Sequence, residues 1–316
     1  MTPTQLVAQL LGVDASGLQA THIKDGLTND SYRVSGMIQS VVVRISNMDS
    51  VSLRINRSSE AIVLKLVEHA GIGAAVLLNQ PDTHVLITRE VAGRTLVTDE
   101  VGADANIKRI AALLQKLHSM AVPDTVQSMW LADTLKGYWQ LLNQPENEKA
   151  LNIAHESDQQ VLRCLCHNDV HHLNLIDDGS RLWLLDWEYA AIGDPLFDLA
   201  AVCCYHQFEQ RQRLMLLEAY TSALLQVERQ RPLPPRGGET ERGELISRSD
   251  AMFSTLSPAL SHQGRGSYEG SADMARLDRM CWLFDYIKEL WFAARKASGE
   301  AQNQNSTILT NNDKSK

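Results

Sequence analysis

Hydrophobic and polar positions change period twice along this chain. Residues 4–12 read as a helix, stopped around Gly12. From Leu18 to Ser46 the helical period gives way to short β-rich runs, Thr21-His22-Ile23, Ser31-Tyr32-Arg33-Val34 and Gln39 to Ile45, with Gly26-Leu27-Thr28-Asn29 between the first two. Tight turns between alternating runs predict antiparallel strands. Residues 57–70 return to helical spacing through Ile62, Leu64, Leu66 and Val67, with Ser58 as the expected start. His84 to Val91 is a further strand, and it leads into Ala92-Gly93-Arg94, a candidate hinge.

Beyond that point the pattern is helical. Residues 104–120 place Ile107, Ile110, Leu113, Leu114 and Leu117 on one stripe, with Asp104 as the expected N-cap. Residues 127–143, 197–227 and 274–297 predict further helices. Between them, residues 162–186 hold a polar loop and a hairpin turning at Asp177-Asp178-Gly179-Ser180. Residues 229–270 are rich in Pro, Gly, Ser and Arg, with little periodicity, and are expected to form a disordered insertion. The expected class is α+β. Residues 1–92 make a small antiparallel-sheet lobe, 93–300 a mainly helical one, and 301–316 a flexible tail.

Composition narrows the possible functions. The chain has 316 residues, 44% hydrophobic and 22% charged, with a formal net charge of −8. The length suits two lobes around a cleft, and the acidic balance does not suggest a nucleic-acid partner. The N-terminus lacks the basic region of a signal peptide, and no apolar run is long enough to span a membrane. The expected location is the cytoplasm. Cys164 and Cys166 are too close for a CxxC site, and the five cysteines are expected to be small buried apolar residues.

The chemistry concentrates in His167-Asn168-Asp169-Val170-His171-His172-Leu173-Asn174 and Asp186-Trp187-Glu188. Phosphoryl transfer to a hydroxyl needs a base for that hydroxyl and oxygen ligands for magnesium on the phosphates. Asp169 would be the base, Asn174 and Asp186 the magnesium ligands, and Glu188 a support for a second ion. Singly, Asp and Asn are also ordinary turn residues; it is the set that points to chemistry. His167 is expected to hydrogen-bond the loop backbone. Arg44, on a β-run, and Glu60, on the following helix, could position ATP phosphates or form a surface ion pair. The turn bearing Thr28 and Asn29 could cover those phosphates. Trp282, Tyr286 and Trp291 belong to an aromatic stripe that would serve as core or as a pocket for a cationic acceptor.

These residues carry a resemblance. His167-Asn168-Asp169 through Asn174, Leu185 to Ala190, Gly193-Asp194-Pro195 and Asp198-Leu199-Ala200 resemble the choline/ethanolamine kinase and aminoglycoside phosphotransferase superfamily. Gly26 to Asn29 with Tyr32, Arg44-Ile45, and Ile55-Asn56-Arg57 with Glu60 are most similar to its bacterial choline kinase branch. The resemblance covers roughly residues 20–225 and the final helix. It implies a protein-kinase-like bilobal fold, ATP and Mg2+, and transfer to a small-molecule alcohol, choline or ethanolamine first. It also implies that Asp198 steadies the catalytic loop. Thiamine, aminoglycoside or sugar kinases are the rivals within the class, and a catalytically inactive nucleotide-binding protein is the rival outside it. The run His171-His172-Leu173 departs from the small residues or Pro-Gly common in the family's catalytic loop. Oligomeric state is left open.

Overall fold

A computed structural model describes the chain outside residues 24–28, 47–52, 161–162, 230–271 and 313–316. For the helical residues 223–229, 272 and 299–312 only the backbone is described. After helix α1 (Pro3–Leu11), the strands β1 (Gln19–Ile23), β2 (Asn29–Ser35), β3 (Val41–Ser46), β4 (Val76–Gln80) and β5 (Val85–Arg89) form an antiparallel sheet in the order β1-β2-β3-β5-β4. Helix α2 (Arg57–His69) connects β3 to β4.

Strand alternation gives this sheet two unlike faces. Val41 and Val43 of β3 join Val34, Val85 and Ile87 in a small core covered by Val7 of α1. Val42 and Arg44, one position out of phase, line a groove on the opposite face. Helix α2 puts Glu60 on the same inward stripe as Val63, Leu64 and Val67, which enter the main core. Glu60 therefore reaches the groove face of β3 from a helix anchored in the other lobe's core.

The chain then crosses at Gly93. Strand β6 (Arg94–Thr95) pairs with β8 (Leu175–Asp177), which pairs with β9 (Leu182–Leu184). Helices α3 (Thr98–Val101), α4 (Asp104–His118), α5 (Leu131–Leu142) and α6 (Glu148–Asp158) lead to β7 (Cys164–Cys166), which pairs with β10 (Ala191–Gly193). Helices α7 (Pro195–Tyr205), α8 (Gln210–Arg229) and α9 (Ala272–Asn312) complete the chain. Helix α7 is buried from Pro195 to Cys203 and forms the centre of the helical lobe. Among the described residues no helix is long and apolar enough to cross a membrane.

Several local expectations change. Helix α2 is capped by Asn56, whose side chain accepts from the Ser59 N–H at 3.0 Å, and not by Ser58. Asp104 is the first residue of α4 and pairs with Arg211 at 2.8 Å instead of capping the helix. The segment 197–227 is two helices, separated at residues 206–209. Strand β4 and helix α6 had no counterpart in the sequence pattern. The final helix runs through Asn312, past the start of the expected tail. The insertion expected at 229–270 lies, except for Arg229, outside the described residues. All five cysteines are free thiols, and Cys204 alone among them is only half-buried.

Candidate active site

The loop after β7 is held from below by one carboxylate. Asp198, fully buried on α7, accepts from the backbone N–H groups of His167 at 2.8 Å and Asn168 at 2.6 Å. It also contacts His118 Nε2 at 3.0 Å, while His118 Nδ1 lies 2.8 Å from the Tyr220 hydroxyl. Burial opposes a charge on His118, but the bond to Asp198, helped by Cys166, lifts its pKa to about 9. The imidazolium thus donates from both nitrogens.

His167 links this loop to the next one. Its Nε2 donates to the Leu185 carbonyl at 2.9 Å, and its Nδ1 accepts from the Asp169 N–H at 3.2 Å. That pattern fixes the neutral tautomer, and burial holds its pKa low. The ring stands edge-on to Trp187, 4.7 Å between centroids. His167 is a scaffold, and its neutral ring is committed to the backbone.

Asp169 is thereby aimed into the groove. Its Oδ1 accepts from the Tyr205 hydroxyl at 2.7 Å, and its Oδ2 lies 3.4 Å from His171 Nε2. Burial works against ionisation, but His171 and Tyr205 hold its pKa below the ordinary carboxylate value. Asn174 donates from Nδ2 to the Asp169 carbonyl at 3.0 Å, which turns its amide oxygen away from that bond. Asp186 follows β9 with φ 63° and lines the same groove. Burial and the neighbouring Glu188 raise its pKa to about 7, against the opposing pull of Arg44.

Two arginines face these acids. Arg44 forks onto Glu60, with Nη1 to Oε1 at 2.7 Å and Nη2 to Oε2 at 2.8 Å, and its Nη1 also reaches Asp186 at 3.2 Å. Burial disfavours the Arg44 charge, but Glu60 and Asp186 raise its pKa. Burial disfavours the Glu60 charge as well, and Arg44 outweighs it. Arg57 joins Glu60 at 2.8 Å to Glu188 at 3.0 Å. Asn29 donates to Glu188 at 2.8 Å and accepts from Ser46 at 2.6 Å. Glu188 is 2% exposed and is bound up with these partners, whereas Asp186 is 38% exposed and opens toward the groove.

The donors fit a divalent cation. Asp186 and the Asn174 amide oxygen are hard oxygen ligands of the kind magnesium takes. Burial first and the neighbouring Glu188 second raise the Asp186 pKa, and a cation bound at its carboxylate would offset both. Glu188 is placed to support this set through Arg57 and Asn29, and direct ligation, as the sequence suggested, would require it to leave those partners.

The expected residues divide as follows. Arg44, Asp169, Asn174, Asp186, Glu188 and Trp291 line one groove of about 1060 Å³ between the sheet and the helices. Asn29 and Glu60 lie directly behind its wall, while Thr28 lies outside the described residues. Trp282 and Tyr286 do not line the groove. Their rings stack 5.6 Å apart; Lys149 sits 3.7 Å over Trp282, and the Trp139 Nε1 donates to the Tyr286 hydroxyl at 3.0 Å. Both therefore face α5 and α6, away from the groove that holds Asp169. The groove instead has Tyr205 and Phe284, which the sequence pattern did not single out.

A family model described as a phosphotransferase enzyme family matches residues 19–234. The chain belongs to this phosphotransferase enzyme family. The match takes in both the Arg44–Glu60 pair and the loops bearing Asp169 and Asp186. The chain is 28% identical over 211 residues to protein LicA of Haemophilus influenzae, covering 62% of this chain and 60% of that protein. It is 36% identical over 110 residues to thiamine kinase of Escherichia coli, covering 33% of this chain and 39% of that one. Its fold is similar to the crystal structure of choline kinase LicA from Streptococcus pneumoniae, with a TM-score of 0.63 and 19% identity over 94% of this chain and 90% of that one. The chain thus has the protein-kinase-like bilobal fold expected from its sequence.

Proposed function

We propose that this phosphotransferase is an ATP- and magnesium-dependent small-molecule kinase whose acceptor is the hydroxyl of a small amino alcohol, choline or ethanolamine first. The observation that carries the reading is the meeting of Asp169, Asn174 and Asp186 in one groove, opposite a cation that is itself fixed by a carboxylate.

In this reading Asp169 accepts a hydrogen bond from the acceptor hydroxyl and orients it. Its low pKa keeps it ionised near neutrality. Arg44 presents its guanidinium to phosphate oxygens, and Glu60 fixes that fork from behind. Asn174 and Asp186 hold magnesium, which when bound neutralises phosphate charge. Tyr205 and His171 keep the Asp169 carboxylate in one orientation, so little reorganisation is needed when the hydroxyl arrives.

The amino-alcohol acceptor is supported by the two LicA relatives, one of them described as a choline kinase, and by the aromatic residues Tyr189, Tyr205, Phe284 and Trp291 along the groove. Thiamine is the second reading, supported by the thiamine kinase segment. Coupled ADP-release assays with choline, ethanolamine, thiamine and kanamycin test both. ADP release above the acceptor-free rate with choline or ethanolamine, lost in Asp169→Ala, is expected. No acceptor-dependent release from any of the four, or wild-type rates in Asp169→Ala, would overturn the reading.

A further inference from the structure

Helix α9 brings four residues to the groove at helical spacing, Phe284, Ile287, Lys288 and Trp291. Phe284 meets Tyr205 with ring centroids 5.4 Å apart at 75°, giving a two-walled aromatic corner. That corner adjoins the candidate base, because the Tyr205 hydroxyl donates to Asp169 at 2.7 Å. It is already faced by a cation. The Lys288 ammonium lies 5.4 Å from the Tyr205 centroid and 5.8 Å from that of Phe284, within the range of cation–π attraction.

The same ammonium donates to Asp285 at 2.6 Å, a pair in which the aspartate is half-exposed. Such an i,i+3 surface pair holds a flexible lysine weakly. The described acids lining the groove are Asp82, Asp169, Asp186 and Glu188. None of them belongs to α9 or α7, and Lys288 has its carboxylate partner at Asp285, outside the lining.

We propose that Lys288 sets which acceptors the groove admits: its ammonium occupies the Tyr205–Phe284 corner, so an acceptor with a fixed positive charge enters only by displacing it. The corner is a cation site, and the chain carries its own occupant. Lys288 is then a specificity-determining residue: it competes with every cationic head, so choline enters at reduced affinity while a neutral head meets no such competition. Displacement moves the ammonium out of the corner into solvent, with Asp285 still within its reach and no covalent step. This proposal rests on Asp169 marking the acceptor end of the groove.

The test uses a probe with no hydroxyl, so that binding is read apart from phosphoryl transfer. Tetramethylammonium and choline are titrated by calorimetry, without nucleotide, into the full-length wild type, Lys288→Met, Lys288→Arg and Lys288→Met/Phe284→Leu. Removing the competing charge is expected to tighten both ligands about tenfold in Lys288→Met, on the scale of a cation–π contact. Lys288→Arg should stay at the wild-type value, and the added Phe284→Leu should abolish the gain. Equal affinity in wild type and Lys288→Met, weaker binding in Lys288→Met, or no binding to either would overturn the proposal. Thermal shifts with magnesium and ATP on the same proteins confirm that each variant is folded and report on nucleotide binding separately. A gain for tetramethylammonium in a protein that ATP does not stabilise would sink the kinase reading and leave this one standing.

Discussion

Stability should fall as His118 loses its proton, by an amount its surroundings fix. The side chain is buried, donates to Asp198 and Tyr220, and titrates at about 9 in the folded chain against an ordinary 6.5. The unfolded chain loses this proton near 6.5 and the folded chain only near 9. Below 6.5 both states hold it, so the full stabilisation is present. Between the two values the unfolded state gains by releasing the proton and the folded state does not, so stability declines until the folded group also deprotonates. A gap of 2.5 pKa units corresponds to about 3 kcal/mol. That is a large share of the roughly 5–15 kcal/mol that holds a typical domain together. Urea unfolding of wild type and His118→Gln at pH 6 and pH 10 isolates this contribution. The stability gap between the two proteins should shrink by about 3 kcal/mol at the higher pH, at constant m-value. A gap of the same size at both pH values would refute the claim that a charged His118 braces Asp198.

Two further changes test the frame of the site. Glu60→Gln leaves Arg44 and Arg57 short of a buried countercharge and should cost about 3–5 kcal/mol in urea unfolding, with a smaller thermal shift on ATP addition; a loss under 1 kcal/mol would mean that the pair is solvated. Gly93→Ala should destabilise by about 1–3 kcal/mol in the same assay, because Gly93 has φ 149° and an added Cβ would lie 2.5 Å from the Asp177 carbonyl oxygen; an unchanged melting temperature would show that the crossing between the lobes relaxes freely.

What could be read from the sequence was local. Asp169, Asn174 and Asp186 fall within eighteen residues of one another, and β8 and β9 fold them together without help from distant chain. Arg44 and Glu60 were legible as a strand cation and a helix acid. Arg57 figured only in a matched motif, and its role as a bridge between Glu60 and Glu188 depends on a contact made across the fold. Tyr205 and His118 act over separations of 36 and 80 residues, which no period reveals. One signal for His118 was present: it continues the buried stripe of α4, and a polar residue on such a stripe needs a partner. Helix α6 escaped because its buried face is made of Ala150, Ile153, Ala154 and Ser157, too small and mixed to stand out. The aromatic stripe misled for a geometric reason. At about 100° per residue, Trp291 lies half a turn around α9 from Trp282. A helix buried on more than one side offers no pattern that says which aromatics face the groove.

The Asp169 loop and the Asp186 loop are each set by a non-glycine residue in the left-handed region, Asn168 at φ 68° and Asp186 at φ 63°. Each costs about 1–2 kcal/mol and persists only where neighbours over-determine it. For Asn168 those neighbours are Asp198, which takes its N–H, and the Tyr189 carbonyl, which accepts its side chain at 2.8 Å. His167 then ties the two loops together, bonding the Leu185 carbonyl beside Asp186 with one nitrogen and the Asp169 N–H with the other. The separation of the two carboxylates is therefore an internal property of the helical lobe. The sheet contributes Arg44 through a single 3.2 Å contact to Asp186 and through its fork onto Glu60. A change in the width of the groove would alter the Arg44–Asp186 contact and leave the spacing between Asp169 and Asp186 intact. On the proposed function, phosphate grip and hydroxyl alignment should then be lost separately, the first by substitutions around Glu60, the second by substitutions around His167.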